Sequence, residues 1–352
     1  MSMDRPDPQL PYLTASNAGV GGVIRAQPED FCVEERPLYL PCGQGEHLYL
    51  RVTKRGLSTP DMVKQFASAL GVKAKCIGVA GLKDARAVTT QMVSVQGVRA
   101  EAISRLSLNE RLLAVDVLGR HRNRLRTGHH AGNRFRLVVR EVNTEAGTSV
   151  PRVLDELLRR GVPNYFGPQR QGRSGLNYET GAALLRDAER RARIGRTQRI
   201  WFLNAYQSYI FNRMLAARID RLDRVLVGDW AMKHVNGACF QVEDTDRDQR
   251  RADVFEISPT GLLFGSRASW ASGEPGDIER AIVAELNETP ESLNQAAVEC
   301  GFRGERRPLR VRLEELVWSL EGRTLTLAFA LPPGAYATSV LRELMKNDQL
   351  AQ

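Results

Sequence analysis

The feature that most restricts this fold is a change of hydrophobic period along the chain. Both ends alternate like strands, and helical spacing lies between them. Near the start, "GVIRAQPEDFCVEERP", "HLYLRVTKRG" and "VTTQMVSVQGV" read as strands. In "RFRLVVREV" (134–142), Phe135, Leu137 and Val139 point one way and Arg134, Arg136 and Arg140 the other, which makes a one-sided sheet with a basic outer face. Near the end, "LRVRLEELVWSLEGRTLTLAFALPPG" resumes the pattern, with Leu325, Leu327, Phe329 and Leu331 on one face. Helical spacing occupies 178–194 and 203–221, and 277–301 reads as a helix followed by a connection. The fold class expected is α+β: one sheet domain (1–158 with 309–352) interrupted by an inserted domain (159–308). At 352 residues the chain is long enough for both.

Local punctuation adds detail. Residues 59–71 predict a helix, with Thr59 as cap, Pro60 at the first position, Gly71 at the end, and Met62, Val63, Phe66 and Leu70 on one face. "CIGVAG" predicts a short buried strand, and "GLKDARAVTTQ" (81–91) leaves its C-terminal end. "GVPNYFGPQRQGRSG" reads as a punctuated loop, and "EDTDRDQRRAD" as an acidic, mobile stretch among the short strands of 225–270. "TSVLRELMK" closes the chain as a helix. Residues 1–22 read as a loose leader, and the first thirty residues lack the apolar core of a secretory signal.

Charge narrows the partners. The net charge is +9, and between Arg111 and Arg140 eight arginines and three histidines face a single acid, Asp116. Such a one-sided run favours phosphate contact over a plain solvated face. A second run, Arg186 to Arg199, holds six arginines, but Asp187 and Glu189 sit among them at helical spacings. The five scattered cysteines form no C-x-x-C, which argues for reduced thiols in the cytoplasm, and no apolar stretch reaches a membrane span.

Absent motifs exclude further chemistry. There is no phosphate-binding G-x-x-x-x-G-K-[ST], no strand–GxGxxG–helix, no H-E-x-x-H and no G-x-S-x-G. His129 and His130 face opposite ways on a strand and have no clustered carboxylates, so a metal site is not expected. Asp84 has no acid nearer in sequence than Asp61 and Glu101, which excludes paired-acid logic around it. A lone carboxylate beside a lysine can still act as a nucleophile or accept one proton. On spacing alone, a solvated charged turn is the commoner role for such a pair.

Five blocks shift that balance. "PEDFCVEE" (28–35), "GLKDARAVTTQ", "GNRFRLVVRE" (132–141), "GVPNYFGPQRQG" (161–172) and "LPPGAYATSVLREL" (331–344), in this order and spacing, resemble the TruD family of tRNA pseudouridine synthases. The resemblance implies a pseudouridine-synthase sheet, mixed or antiparallel, carrying an inserted α/β TRUD domain. It implies isomerisation of uridine 13 in tRNA to pseudouridine, with tRNA as partner and neither cofactor nor metal. By position, Asp84 matches the family's catalytic aspartate; Phe31 and Asn133 match substrate-contacting residues. Tyr336 stands where the family more often has phenylalanine, keeping the ring and adding a hydroxyl. Lys83 would offset the charge of Asp84 or contact RNA backbone, and Phe135 lies two residues from Asn133 on the same strand. The competing readings are a non-catalytic RNA-binding protein or chaperone using the same basic surface, and a different RNA enzyme such as a methyltransferase or nuclease.

Overall fold

The structure is a computed structural model that describes residues 10–172 and 174–347. The chain divides into two compact units: Val20–Thr148 with Leu313–Ala337, and Ser149–Arg312 with both chain ends.

The first unit contributes, in chain order, β1 (Val23–Ile24), β2 (Phe31–Pro37), β3 (His47–Arg55), α1 (Thr59–Leu70), β4 (Ile77–Val79), β5 (Val88–Gln96), β6 (Leu112–His121) and β7 (His130–Arg140). Helix α2 (Ala146–Arg160) then leads into the second unit, where β8 (Val162–Pro163), α3 (Asn177–Arg186), α4 (Ala188–Ala192) and α5 (Arg196–Ala217) follow. After them come β9 (Trp230–Lys233), β10 (Cys239–Gln241), α6 (Thr245–Asp253), β11 (Ile257–Leu263), α7 (Gly273–Glu285), α8 (Pro290–Glu299), β12 (Glu305–Pro308) and β13 (Arg310–Val311). Strands β14 (Glu314–Glu321) and β15 (Thr324–Leu331) return to the first unit, and α9 (Ala337–Met345) closes the described chain.

The α+β expectation holds. The first unit's nine-stranded sheet runs β14-β15-β7-β2-β5-β3-β6, with β1 added to β7 and β4 to β5. Only β2 and β5 pair in parallel, so the sheet is mixed. Along β7, Phe135 lies opposite Val33 on β2 and Phe329 on β15, and Leu137 opposite Phe31 and Leu327. This is the predicted inward face, and its members are buried. Leu48, Leu50 and Val52 of β3 close a core with Met62, Phe66 and Leu70 of α1.

Helix α1 departs from expectation at its start. Ser58, not Thr59, is the cap, accepting the Asp61 N–H at 3.2 Å. Thr59 is buried and bonds elsewhere, whereas Gly71 ends the helix with φ 67, as predicted.

In the second unit a sheet of order β10-β9-β11-β12 packs with α5, and Leu184, Leu203, Tyr206, Ile210, Leu262 and Phe264 form its core. The stretch read as mobile is helix α6: Asp244 caps it, and the buried Asp248 accepts from Arg247 and Arg251, which neutralise that acid within the helix. The helix expected within 277–301 is α7, and the connection expected after it holds a second helix, α8. Asn287 takes a positive φ between them, and Thr289 starts the second with a capping box. Residues 1–9 of the expected leader lie outside the described residues; the chain from Leu13 is tied down. The Leu13 and Thr14 N–H groups donate to the Glu343 carboxylate at 3.2 and 3.0 Å, and Arg342 lies over Tyr12 and Tyr165. These bonds explain why both chain ends group with Ser149–Arg312.

Candidate active site

The site grows from the loop between β4 and β5, residues 80–87, which carries the "GLKDARA" stretch. Its interior side is clamped. The Lys83 N–H donates to Thr59 Oγ1 at 3.0 Å, and that hydroxyl donates to Gln91 Oε1 at 3.0 Å. The Lys83 amine turns inward onto Glu35 Oε2 at 2.7 Å, with the two side chains 5% and 1% exposed. The other Glu35 oxygen accepts the Met92 N–H at 3.1 Å. Lys83 is therefore a buried strut, and the expectation that it contacts RNA backbone does not hold. A buried amine needs a counterion, and β2 supplies one.

With Lys83 turned in, the next residue turns out. Asp84 presents its carboxylate with the side chain 34% exposed. Its Oδ1 accepts the Arg86 N–H at 2.8 Å, a local turn that fixes the side-chain torsion. Its Oδ2 accepts from Arg25 Nη2 at 2.6 Å. Arg25 follows β1 with φ 57, and its guanidinium lies 4.4 Å from the centre of the Phe31 ring. One arginine thus joins the expected Phe31 and Asp84 by a cation–π contact and a charge-assisted hydrogen bond. The sequence reading missed Arg25: it lies 59 residues before Asp84, and no spacing pointed to it.

Two further basic groups lie near this point. Lys54 on β3 is fully buried and donates to the Leu57 carbonyl at 2.5 Å. Burial pushes its amine down to about 8; the charge of Asp84 opposes that shift and Lys83 adds to it. His130, half-buried at the start of β7, is held below the usual imidazole range by burial first and Lys83 second. Of these groups Lys83 is already neutralised by Glu35, and Lys54 is the cation on which the Asp84 charge acts.

Asn133 sits on β7 opposite Glu35 of β2 and Leu331 of β15. Its Oδ1 is buried and has no hydrogen-bond partner among the described residues. A buried amide oxygen left unsatisfied is costly, and it is suited to accept from a ligand. Gly132 before it has φ 134, and a Cβ there would lie 2.3 Å from the Leu331 carbonyl oxygen. The Gly-Asn step therefore requires glycine. Tyr336 is half-buried in the segment between β15 and α9. Phe135 instead packs in the sheet interior, its ring 5.5 Å from Phe329.

The arginine run is less free than its composition suggested. Arg134 pairs with Glu315 at 2.7 Å and Arg140 with the buried Asp30 at 2.7 Å, both acids from distant segments. Arg124 donates to the Ile77 carbonyl at 2.6 Å. Arg122 and Arg126 remain exposed. His129 is engaged by the Tyr39 hydroxyl at 2.8 Å, and among the described residues no three His, Cys, Asp or Glu side chains gather as metal ligands would. Nor is any described helix long and apolar enough to cross a membrane.

The class the fold and site define is a mixed-sheet α+β protein that presents one clamped, outward carboxylate against an arginine. Comparison with known proteins narrows it. A family model for tRNA pseudouridine synthase D (TruD) matches residues 9–194 and 192–344. The tRNA pseudouridine synthase D of Thermus thermophilus is 43% identical, over 98% of this chain and 94% of that one. That of Geobacter sulfurreducens is 40% identical, over 98% and 99%. A crystal structure from Methanosarcina mazei carrying the TruD label superposes with a TM-score of 0.82 at 27% identity, covering 97% of each chain. The chain belongs to the TruD family of tRNA pseudouridine synthases.

Proposed function

We propose that this protein isomerises uridine 13 of tRNA to pseudouridine, with Asp84 as the reacting carboxylate and the unit that bears it as the catalytic domain. The observation that carries the proposal is the posture of Asp84: its neighbour Lys83 is locked inward while its own oxygens face outward, paired to Arg25. The reaction breaks the N1–C1′ bond, turns the uracil and rejoins it through C5. Uridine and pseudouridine contain the same atoms, so the balance calls for no oxidant, reductant or group donor. The base must leave the stack, at a cost of a few kcal/mol, and arginines on phosphates offset that cost.

Asp84 acts in its ionised form, either adding to the base or C1′ or accepting a ribose proton. Both roles need a charged, accessible oxygen, and the Arg25 guanidinium holds that oxygen in place at 2.6 Å. The free Asn133 carbonyl suits the N–H of a uracil edge or a ribose hydroxyl, and Tyr336 offers a ring to the flipped base. Phe31 supports the site through Arg25.

Incubation with an unmodified tRNA transcript, without added metal or cofactor, followed by pseudouridine mapping, tests the reading. The wild-type protein is expected to convert position 13. Asp84→Asn is expected to abolish turnover and leave tRNA affinity within about threefold, since one exposed charge contributes little to phosphate contact. Unmodified RNA after wild-type treatment would favour the non-catalytic RNA-binding alternative, and turnover by Asp84→Asn would remove the role given to that residue.

A further inference from the structure

The second unit carries a surface that the chemistry at Asp84 does not use. Most aromatic side chains of α5 are buried: Tyr206, Tyr209 and Phe211 are 2%, 7% and 0% exposed. Trp201, one turn into the same helix, is 46% exposed, and the adjacent Ile200 is 37% exposed. Phe202 anchors to the core beneath, and its ring centroid is 5.2 Å from that of Trp201. A large indole propped outward on a packed neighbour forms a rigid platform.

The run that leads up to the platform carries surplus positive charge. In the run from Arg186 to Arg199, Arg186 is used by Glu288 and Arg191 by Glu299, each at 2.8 Å. Arg193 meets Glu189 only at 3.8 Å, with the side chains 80% and 88% exposed, a pair worth little in water. Arg190 and Arg196 are exposed and have no acidic partner among the described residues. Arg196 precedes Trp201 by five residues on α5, about 140° round the helix, so the guanidinium and the indole flank the exposed helix start from two sides. Apolar burial alone would leave Trp201 inside, and instead the indole stands exposed beside an arginine-rich run. The pairing of a ring with surplus guanidinium groups matches a nucleotide, base on ring and phosphate on cation.

We propose that the exposed start of α5, with α4 before it, docks tRNA, with an unpaired base stacked on Trp201 and phosphates to either side of it held by Arg190, Arg193 and Arg196. The proposal rests on the reading that tRNA is the substrate. A second copy of the chain is a poor occupant, since it would bring the same cations to the contact.

The test titrates an unmodified tRNA transcript into the full-length protein, following tryptophan emission, and measures KM and kcat for pseudouridine formation. Wild-type emission is expected to quench on binding, and Trp201→Phe to lose most of that quench while keeping affinity within about threefold. Trp201→Ala is expected to raise Kd and KM about tenfold, the span of one base stacked on an aromatic ring. Arg193→Glu with Arg196→Glu is expected to raise both further and to lower the salt dependence of binding by about two phosphate contacts. For both alanine and glutamate variants the expected loss is in KM, with kcat at saturating tRNA within about twofold. Because these side chains are exposed, unchanged circular dichroism and Tm are expected. Affinities of both variants within twofold of wild type, in a protein that does form pseudouridine, would overturn the docking face and leave the activity standing. Weakened binding in a protein that forms none would support the docking face and overturn the activity. A change in the mass of the free protein caused by Trp201→Ala would overturn the proposal in favour of a copy-to-copy contact.

Discussion

Glu35→Gln perturbs the candidate site without touching it. Glu35 and Lys83 are 1% and 5% exposed and 2.7 Å apart, so the substitution leaves a buried ammonium without its counterion. Glutamine keeps the shape and can still accept the Met92 N–H, so the loss is one of charge. Breaking one side of a buried pair costs about 3–5 kcal/mol, because the remaining charge stays desolvated. At about 1.4 kcal/mol per decade, this is roughly two to four decades in a local opening equilibrium. Hydrogen exchange of the Met92 and Lys83 amides reads that opening directly. Protection is expected to fall at least about a hundredfold, and kcat with it, because the displaced backbone carries Asp84. The double variant Glu35→Met with Lys83→Met removes both charges and is expected to recover most of the protection. Protection within threefold of wild type in Glu35→Gln, or a double variant as damaged as the single, would refute the strut.

Three further outcomes follow from neighbouring geometry. Arg25→Met removes the 2.6 Å bond to Asp84 Oδ2; a charge-assisted bond on a partly exposed pair is worth about 1.5 kcal/mol, so the single-turnover rate is expected to fall about tenfold with tRNA affinity nearly unchanged. Lys54, held at about 8 in the fold against its ordinary 10.5, binds fewer protons folded than unfolded between those values. Wild-type stability is therefore expected to rise relative to Lys54→Met from pH 8 to about 10 and to show no such trend below pH 7; urea midpoints measured across that range check the sign. Gly132→Ala places a Cβ 2.3 Å from the Leu331 carbonyl at a φ of 134, and a loss of about 3 kcal/mol or more is expected, seen as a lower Tm and, through Asn133, a raised KM.

Much of this molecule was legible in one dimension. Period-2 alternation marked β7 and β15 with their inward faces, because a strand buried on one side must alternate whatever its partners are. The ordered blocks marked the family and, through it, Asp84, Asn133 and Tyr336 as proposed site residues. Local capping chemistry was harder: the choice of Ser58 over Thr59 depended on Gln91 and Lys83 claiming the threonine hydroxyl from inside the sheet. The stretch read as mobile became α6 because Arg247 and Arg251 neutralise Asp248 on its own helix.

The amino-acid sequence by itself determined the α+β class and the family and pointed to one carboxylate, Asp84, for the proposed chemistry, since class and family are written in periodicity and in motif order. Tertiary structure alone decided what surrounds that carboxylate. It buried Lys83 on Glu35, brought Arg25 across from β1, spent Arg134 and Arg140 on distant acids, and left Trp201 outside. The reason is physical: an ion pair or a desolvation penalty depends on distance through space, and residues far apart in sequence carry no local signal that they will meet.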